Sequence, residues 1–380
     1  MKVLFIGWSK IPHSYAIVNV FQIIHLVKNY PEIKLYMEEY PYFNPDWNNK
    51  TNLRIYPEEY YKILDSIEIY KDEKVDLVYN ITYPYDVSIP DVPKIVFYTA
   101  EFSVLTSSYF TGVLHDDLNN RLQDKDLYFH TPSEWSFRGL AHTKNKCITH
   151  GVDTNIFKKT SARTKIRNFY GIKDTDTLLG NMGAMTRNKG ILLILEALKI
   201  LVIDLKQTQY KLLLKGTGDL YKTRDFMDIY IKELRIPEVL LEKHIIFIED
   251  TLTFSALNNL YNALDLYLSP YFAEGFNLQP LECLSTGTTV LLPETGSTVD
   301  YTSKIIKVSP ESLVLIPSNV VKNSMGFQNE INIQDLLNGI LNYSEPTKHY
   351  DALRNVVQKE LSWDYVSHEL VSYFKEILIL

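Results

Sequence analysis

Apolar positions along this chain fall into short continuous runs that alternate with longer stretches of helical spacing. Residues 2–6 (KVLFI) form a continuous run that predicts a buried strand, and residues 15–28 place Ile17, Phe21, Ile24 and Val27 in helical rhythm. The loop GWSKIPHS lies between them. Further strands are expected at residues 34–36, 76–81, 94–99, 127–131 and 146–149. Strand and helix in alternation predict a first α/β domain around a parallel sheet.

A polar, basic stretch without strong periodicity follows at residues 158–167, and the domain boundary is placed there. The pattern then restarts. Strands are expected at 178–181, 210–215 and 244–248, with helices at 191–205 and 221–234, so a second doubly wound sheet is predicted. The tail, residues 362–380, is amphipathic, with Val366, Leu370, Phe374 and Ile377 on one stripe that needs a partner surface. The expected organisation is a Rossmann-like domain over residues 1–157, a second over 158–361, and a final helix over 362–380. No internal repeat or low-complexity tract interrupts it.

One segment of the second half carries chemistry. In YFAEGFNLQPLECLSTG (271–287), Glu274 and Glu282 bracket a Gly-Phe-Asn turn and the start of a helix. Asn277 is an N-cap candidate, and Pro280 falls in the first helical turn, where its missing N–H costs nothing. A strand-like run at 264–270 leads into the turn, and another strand at 288–292 follows the helix, which makes a βαβ unit. A helix N-terminus favours phosphate, and two carboxylates accept hydrogen bonds from neutral hydroxyls. A nucleotide sugar has both groups.

Composition narrows the classes. The chain has 380 residues, 46% of them hydrophobic, enough for two cores. With 46 acidic and 39 basic residues the net charge is −7, which argues against a general nucleic-acid binder. Two cysteines, Cys147 and Cys283, give neither a disulfide framework nor metal-ligand spacing and fit a reducing compartment. The start, MKVLFIGWS, lacks the longer apolar core of a signal peptide, and no run approaches the roughly 18 apolar residues of a membrane span. A cytoplasmic, soluble protein is expected, with membrane contact at most peripheral. The cations Lys158, Lys159, Arg163, Lys165 and Arg167 read either as a solvated linker or as a surface for anionic lipid.

The motifs ITHGVDTNIF (148–157), GAMTRNKG (183–190), LKGTG (214–218), the paired glutamates, and Ser362-Trp363-Asp364 opening the last helix occur in an order that resembles the retaining glycosyltransferases of family 4. That resemblance covers most of the chain. It implies the GT-B fold of the glycosyl transferases group 1: two Rossmann-like domains facing across a cleft, with the C-terminal helix crossing back to the N-terminal domain. The implied activity is metal-independent transfer of a hexose from a UDP- or GDP-sugar to an acceptor hydroxyl in glycan biosynthesis, with retention of configuration. No cofactor is implied. The acceptor stays open among glycan, lipid-linked and protein-linked classes.

By the same resemblance Glu282 accepts from the ribose hydroxyls and Glu274 from those of the transferred sugar. Gly275, Phe276, Asn277 and Leu278 supply the backbone cradle. Lys189 matches the lysine of the family's Lys-Gly pair and offsets charge on the leaving diphosphate. The arginine that usually follows Gly183 is replaced by Ala184, so Arg187 is expected to supply the second cation from a shifted position. Asn277 stands where the family more often has glycine. Gly216 and Gly218 read either as a tight turn or as a close approach to the nucleotide. Thr295-Gly296-Ser297-Thr298 resembles the later Gly-rich turn.

In the first domain, Glu101 is the candidate near the anomeric carbon, and His13 and Ser14 form the candidate acceptor or phosphate loop. His130 and His150 read as structural histidines. The triplets Asp124-Lys125-Asp126 and Asp174-Thr175-Asp176 are not assigned a metal. Two other readings remain: a non-catalytic nucleotide-sugar or glycan-binding module, and a nucleotide-sugar epimerase on the same paired domains.

Overall fold

The structure is a computed structural model and describes residues 1–50, 53–89, 91–344 and 350–379, so Leu380 of the expected last helix lies outside the described residues. The chain divides into two compact units, Met1–Gly151 with Glu360–Leu380, and Val152–Lys359.

The sheet of the first unit contains β1 (Lys2–Gly7), β2 (Lys34–Glu39), β3 (Glu68–Ile69), β4 (Leu77–Ile81), β5 (Lys94–Phe97), β6 (Leu127–Thr131) and β7 (Asn145–Cys147). All pairings are parallel, in the order β3-β2-β1-β4-β5-β6-β7. The apolar run of β1 explains its central place. Val3 and Phe5 are fully buried and Leu4 nearly so, because both faces of a parallel sheet are covered. Helix α1 (Ser14–Asn29) packs beside the C-terminal helix Trp363–Ile379. Trp363 stacks on Phe21 with ring centres 5.7 Å apart, and the Tyr373 hydroxyl donates to the Phe129 carbonyl at 3.0 Å. The apolar stripe Val366, Leu370, Phe374 and Ile377 is buried here, at about 1.5–3 kcal/mol for each large side chain.

The second unit repeats the plan with β8 (Thr177–Met182), β9 (Tyr210–Lys215), β10 (Ile245–Ile248), β11 (Leu266–Leu268), β12 (Thr289–Pro293) and β13 (Leu313–Ile316), ordered β10-β9-β8-β11-β12-β13 and parallel throughout. Both sheets reverse their strand order once, between β1 and β4 and between β8 and β11. Ligands bind outside the carboxyl ends of the strands at such a switch point. An antiparallel hairpin, β14 (Asn319–Asn323) and β15 (Gly326–Glu330), stands apart from the main sheet.

Two local expectations change. The basic stretch 158–167 is not a linker. It runs into helix α2 (Arg163–Phe169), where Arg163 pairs with Asp265 and Arg167 Nη1 reaches Asp265 Oδ2 at 2.9 Å. Arg167 also donates to the carbonyls of Lys173 and Asp176, so two of the five cations are committed inside the unit while Lys158, Lys159 and Lys165 stay exposed. The helix expected over 191–205 is α3 (Ile191–Lys199), which continues into a wider π turn closed by the Leu205 N–H on the Ile200 carbonyl at 2.9 Å.

Candidate functional site

Strand β11 ends at Leu268 and the chain turns through Glu274 into the helix that carries Glu282. Both carboxylates are buried, Glu274 at 5% and Glu282 at 6% exposure, in contrast to the usual surface carboxylate. Each has a partner that stabilises its charge.

For Glu274 the partner is Lys189, which forms an ion pair with Oε1. Their two loops are stitched by Asn188. Its carbonyl accepts from the Phe272 N–H at 2.7 Å, and its side-chain Nδ2 donates to the Ala273 carbonyl at 3.0 Å. Gly190 is required at this crossing. It has φ of +74°, and a Cβ there would lie 2.0 Å from the Pro270 carbonyl oxygen.

For Glu282 the partner is Tyr261, on α5 (Phe254–Ala263), whose hydroxyl donates to Oε2 at 2.8 Å. Burial pushes the Glu282 carboxyl up to about 7, opposed by the Tyr261 hydrogen bond and by the charge of Lys215. Lys215 ends β9 at the carboxyl edge of the sheet and is itself buried, which brings its ammonium down to about 8 against the pull of Glu282, Asp219 and Asp250.

Helix α6 (Leu278–Ser285) starts from Asn277 in the left-handed region, with φ of +69°. That backbone explains why glycine suits the position. The expected cap does not form: the Asn277 amide donates instead to Ser269 Oγ at 2.9 Å, and its side chain accepts nothing from the first turn. Phe276 packs on Tyr301 at 5.4 Å, and Gly275 and Leu278 are buried beside it. The turn at Thr295–Thr298 is filled by the Tyr271 hydroxyl, which accepts from the Thr298 N–H at 3.1 Å and donates to the Thr295 carbonyl at 3.2 Å.

Gly183 follows β8 and donates to the Lys215 carbonyl at 2.9 Å, joining the carboxyl ends of β8 and β9. A Cβ at Gly216 would lie 2.0 Å from Thr223 Cγ2, so this glycine lets the turn close onto α4 (Thr223–Leu234). Gly218 donates to the Glu249 carbonyl at 3.1 Å. Arg187 is not brought to Glu274: it is exposed and pairs with Glu233 Oε2 at 2.6 Å, over the ring of Tyr230.

Glu101, His13 and Ser14 belong to the first unit. His13 caps α1 through Nδ1, which accepts from the Tyr15 N–H at 3.2 Å, and burial holds its imidazole down near 3, so it is neutral with the proton on Nε2. Ser14 is exposed at the first helical position. The Glu101 carboxylate is exposed while its carbonyl accepts from Trp135 Nε1 at 2.8 Å. His130 is structural, bridging the Tyr79 hydroxyl at 2.7 Å and the Ile148 carbonyl at 2.8 Å, and His150 stacks on Phe97. Asp124 and Asp176 accept from nearby backbone N–H groups. Among the described residues no three His, Cys, Asp or Glu side chains converge as a metal set.

Lys215, Tyr261 and Asn188 escaped sequence reasoning. A signal existed for Lys215, a charged residue closing the apolar run YKLLLK at a strand's carboxyl end.

Residues 162–304 match the family model of the glycosyl transferases group 1. An uncharacterized glycosyltransferase of Methanocaldococcus jannaschii is 23% identical over 235 residues, covering 61% of this chain and 54% of that protein. The lipopolysaccharide core biosynthesis mannosyltransferase LpsB of Rhizobium meliloti is 25% identical over 178 residues, 47% of this chain and 48% of that protein. The chain thus spans about half the length of these curated relatives. Among solved structures, Anabaena HepE in complex with UDP superposes with a TM-score of 0.65 at 14% identity, covering 99% of this chain and 100% of that one. Sucrose-phosphate synthase from Thermosynechococcus elongatus gives 0.66 at 13% identity, over 100% and 99%. Residues 162–304 are thus similar to the glycosyl transferases group 1, and the fold, a pair of parallel-sheet domains, is that of GT-B structures.

Proposed function

We propose that this protein is a retaining glycosyltransferase that moves a sugar from a UDP- or GDP-sugar to an acceptor hydroxyl without a metal. The observation that carries the reading is the ion pair of the buried Glu274 with the part-buried Lys189, together with the buried Glu282, on the loops and helix at the carboxyl edge of β11. Glu282 accepts from the ribose diol, and Glu274 from hydroxyls of the transferred sugar. Lys189 and the N–H groups of Phe276, Asn277 and Leu278 face the diphosphate and stabilise the charge that grows on the leaving oxygen. With Glu274 held by Lys189 and Glu282 by Tyr261, both carboxylates suit binding more than nucleophilic attack. A same-face substitution, in which the departing phosphate takes the acceptor's proton, follows from that division.

The relatives named as glycosyltransferases and the UDP complex of HepE support a nucleotide-sugar donor. A cytoplasmic site of action is proposed because Cys147 and Cys283, far apart in sequence, offer no disulfide framework. Among the described residues no helix is long and apolar enough to cross a membrane.

A second reading, a nucleotide-sugar-binding module without turnover, draws on Arg187: with Ala184 at the usual arginine position, the nearby guanidinium is engaged by Glu233. The deciding experiment is nucleotide release across a panel of UDP- and GDP-sugars with an acceptor mixture and EDTA, comparing wild type with Glu282→Ala. Release that is lost in the variant supports the transferase. Donor binding without release supports the module, and isomerised donor without release points to an epimerase.

A further inference from the structure

We infer that the first unit carries a platform for the ring of a neutral saccharide, built on Phe43 and Tyr109 at the carboxyl edge of its sheet. The loops after four neighbouring strands of the sheet, β2, β1, β4 and β5, each bring an aromatic residue to this edge. Trp8 follows β1, Phe43 and Trp47 follow β2, Tyr83 follows β4, and Tyr109 lies in the segment after β5. β1 and β4 flank the point where strand order reverses, the position at which open α/β sheets receive ligands.

The rings form a continuous chain. Phe43 lies 5.7 Å from Trp8, 4.7 Å from Trp47 and 5.2 Å from Tyr83, and Tyr83 lies 5.4 Å from Tyr109. The base is buried, with Trp8 at 0% and Trp47 at 4% exposure, whereas Phe43 and Tyr109 remain 48% and 41% exposed. Rigid buried rings thus hold two half-open aromatic faces in place. Isolated exposed aromatics are ordinary, but two linked through one packed cluster at a switch point make a surface fit for a flat apolar face.

The charge beside this surface selects the occupant. Glu39 lies at one side, holding the hydroxyls of Ser9 at 2.6 Å and Tyr42 at 3.0 Å. Glu101 lies at the other, close enough to act with burial and Tyr109 in pushing the Tyr83 phenol up. Carboxylates repel phosphates and acids but accept from hydroxyls, and they would be poorly solvated beneath an acyl chain. A pyranose offers what both parts need, a C–H face for the rings and hydroxyls for the acids. Identifying that ring as part of the transferase acceptor rests on the proposed function; the binding itself does not.

The test is saturation-transfer NMR on the full chain with methyl α-glucoside, methyl α-galactoside and methyl α-mannoside, each with and without excess UDP. At least one ring should receive saturation on its C–H protons, unchanged by UDP, lost in Phe43→Ala and retained in Phe43→Tyr. UDP binding by Phe43→Ala serves as the control for folding. Absence of transfer to all three glycosides, transfer that persists in Phe43→Ala, or transfer abolished by UDP would each overturn the proposal. The last of these would place the sugar in the donor site and leave the transferase reading intact.

Discussion

The Tyr261 hydroxyl reaches Glu282 at 2.8 Å from a helix that precedes the glutamate by one strand, so the ionised state of Glu282 depends on a residue outside its own motif. Burial holds this carboxyl up to about 7, and it must be ionised to accept from a ribose diol. Donor affinity should therefore fall as pH drops through about 7. Removing the hydrogen bond in Tyr261→Phe costs about 1.5–3 kcal/mol for a charged acceptor. The donor KM should rise about tenfold or more, and its pH dependence should move upward. Lys215→Met should move the same profile in the same direction. An unshifted profile in both variants would remove these residues from the site.

The same group makes an opposite prediction for stability. A carboxyl raised from 4.5 to about 7 on folding favours the folded state below the unfolded value and loses that contribution as pH rises through the folded value. Glu282→Gln keeps an acceptor for Tyr261 without the charge. It should raise the melting temperature above neutral pH, by an amount on the order of 3 kcal/mol at most, while abolishing donor binding. Equal melting of the two proteins across the pH range would contradict the buried, charged state.

For Lys189 the expected effect is larger. Lys189→Ala leaves the Glu274 carboxylate buried without its cation, a change that costs about 3–5 kcal/mol for a buried pair. The double variant Lys189→Met, Glu274→Gln should recover part of the melting temperature and none of the turnover. A Lys189→Ala protein as stable as wild type would show that Lys189 does not compensate the buried Glu274 in solution.

Alternation of apolar runs made most strands of both sheets legible, because a strand covered on both faces reads as an unbroken run, as in Val3-Leu4-Phe5 and Leu212-Leu213-Leu214, but the edge strands β3 and β13 were not read from it. The hairpin Asn319–Glu330 carries no such run, and half of its strand residues are exposed. At the site, residues with a motif were legible by type and position but not by direction. Arg187 sits three residues from Ala184, yet a short 3₁₀ turn turns its side chain to Glu233. Asn277 is a residue type that caps helices, but its left-handed backbone aims the amide at Ser269. Tyr261 reads as one more apolar position of an amphipathic helix, and its hydroxyl becomes relevant only once tertiary packing brings Glu282 beside it.

Gly190→Ala isolates the geometry of the Lys189 loop. The substitution forces a Cβ to within 2.0 Å of the Pro270 carbonyl oxygen at a backbone φ of +74°, so the loop must move away from β11. A strained left-handed residue alone costs about 1–3 kcal/mol, and the clash adds to it. Lys189 would lose its alignment with Glu274, and turnover should fall further than donor affinity. Wild-type kinetics in this variant would mean that the loop crossing is not what positions Lys189.

The C-terminal helix gives a prediction that separates packing from charge. Its apolar stripe lies in the core of the first unit, with Trp363 stacked on Phe21, so truncation before Ser362 should unfold that unit and lower the melting temperature of the whole chain. Asp364 contributes differently. The hydrogen bonds from His25 at 2.8 Å and Asn29 at 2.7 Å hold its carboxyl down near 2, from an ordinary 3.8. A depressed carboxyl adds stability above its unfolded value and loses it as pH falls through the folded one. The melting difference between wild type and Asp364→Asn should therefore be constant at neutral pH and shrink between about pH 4 and pH 2. Because the Asp364 side chain is 58% exposed, that difference should be small beside the effect of truncation. A difference that instead vanished near neutral pH would transfer the titration from Asp364 to His25.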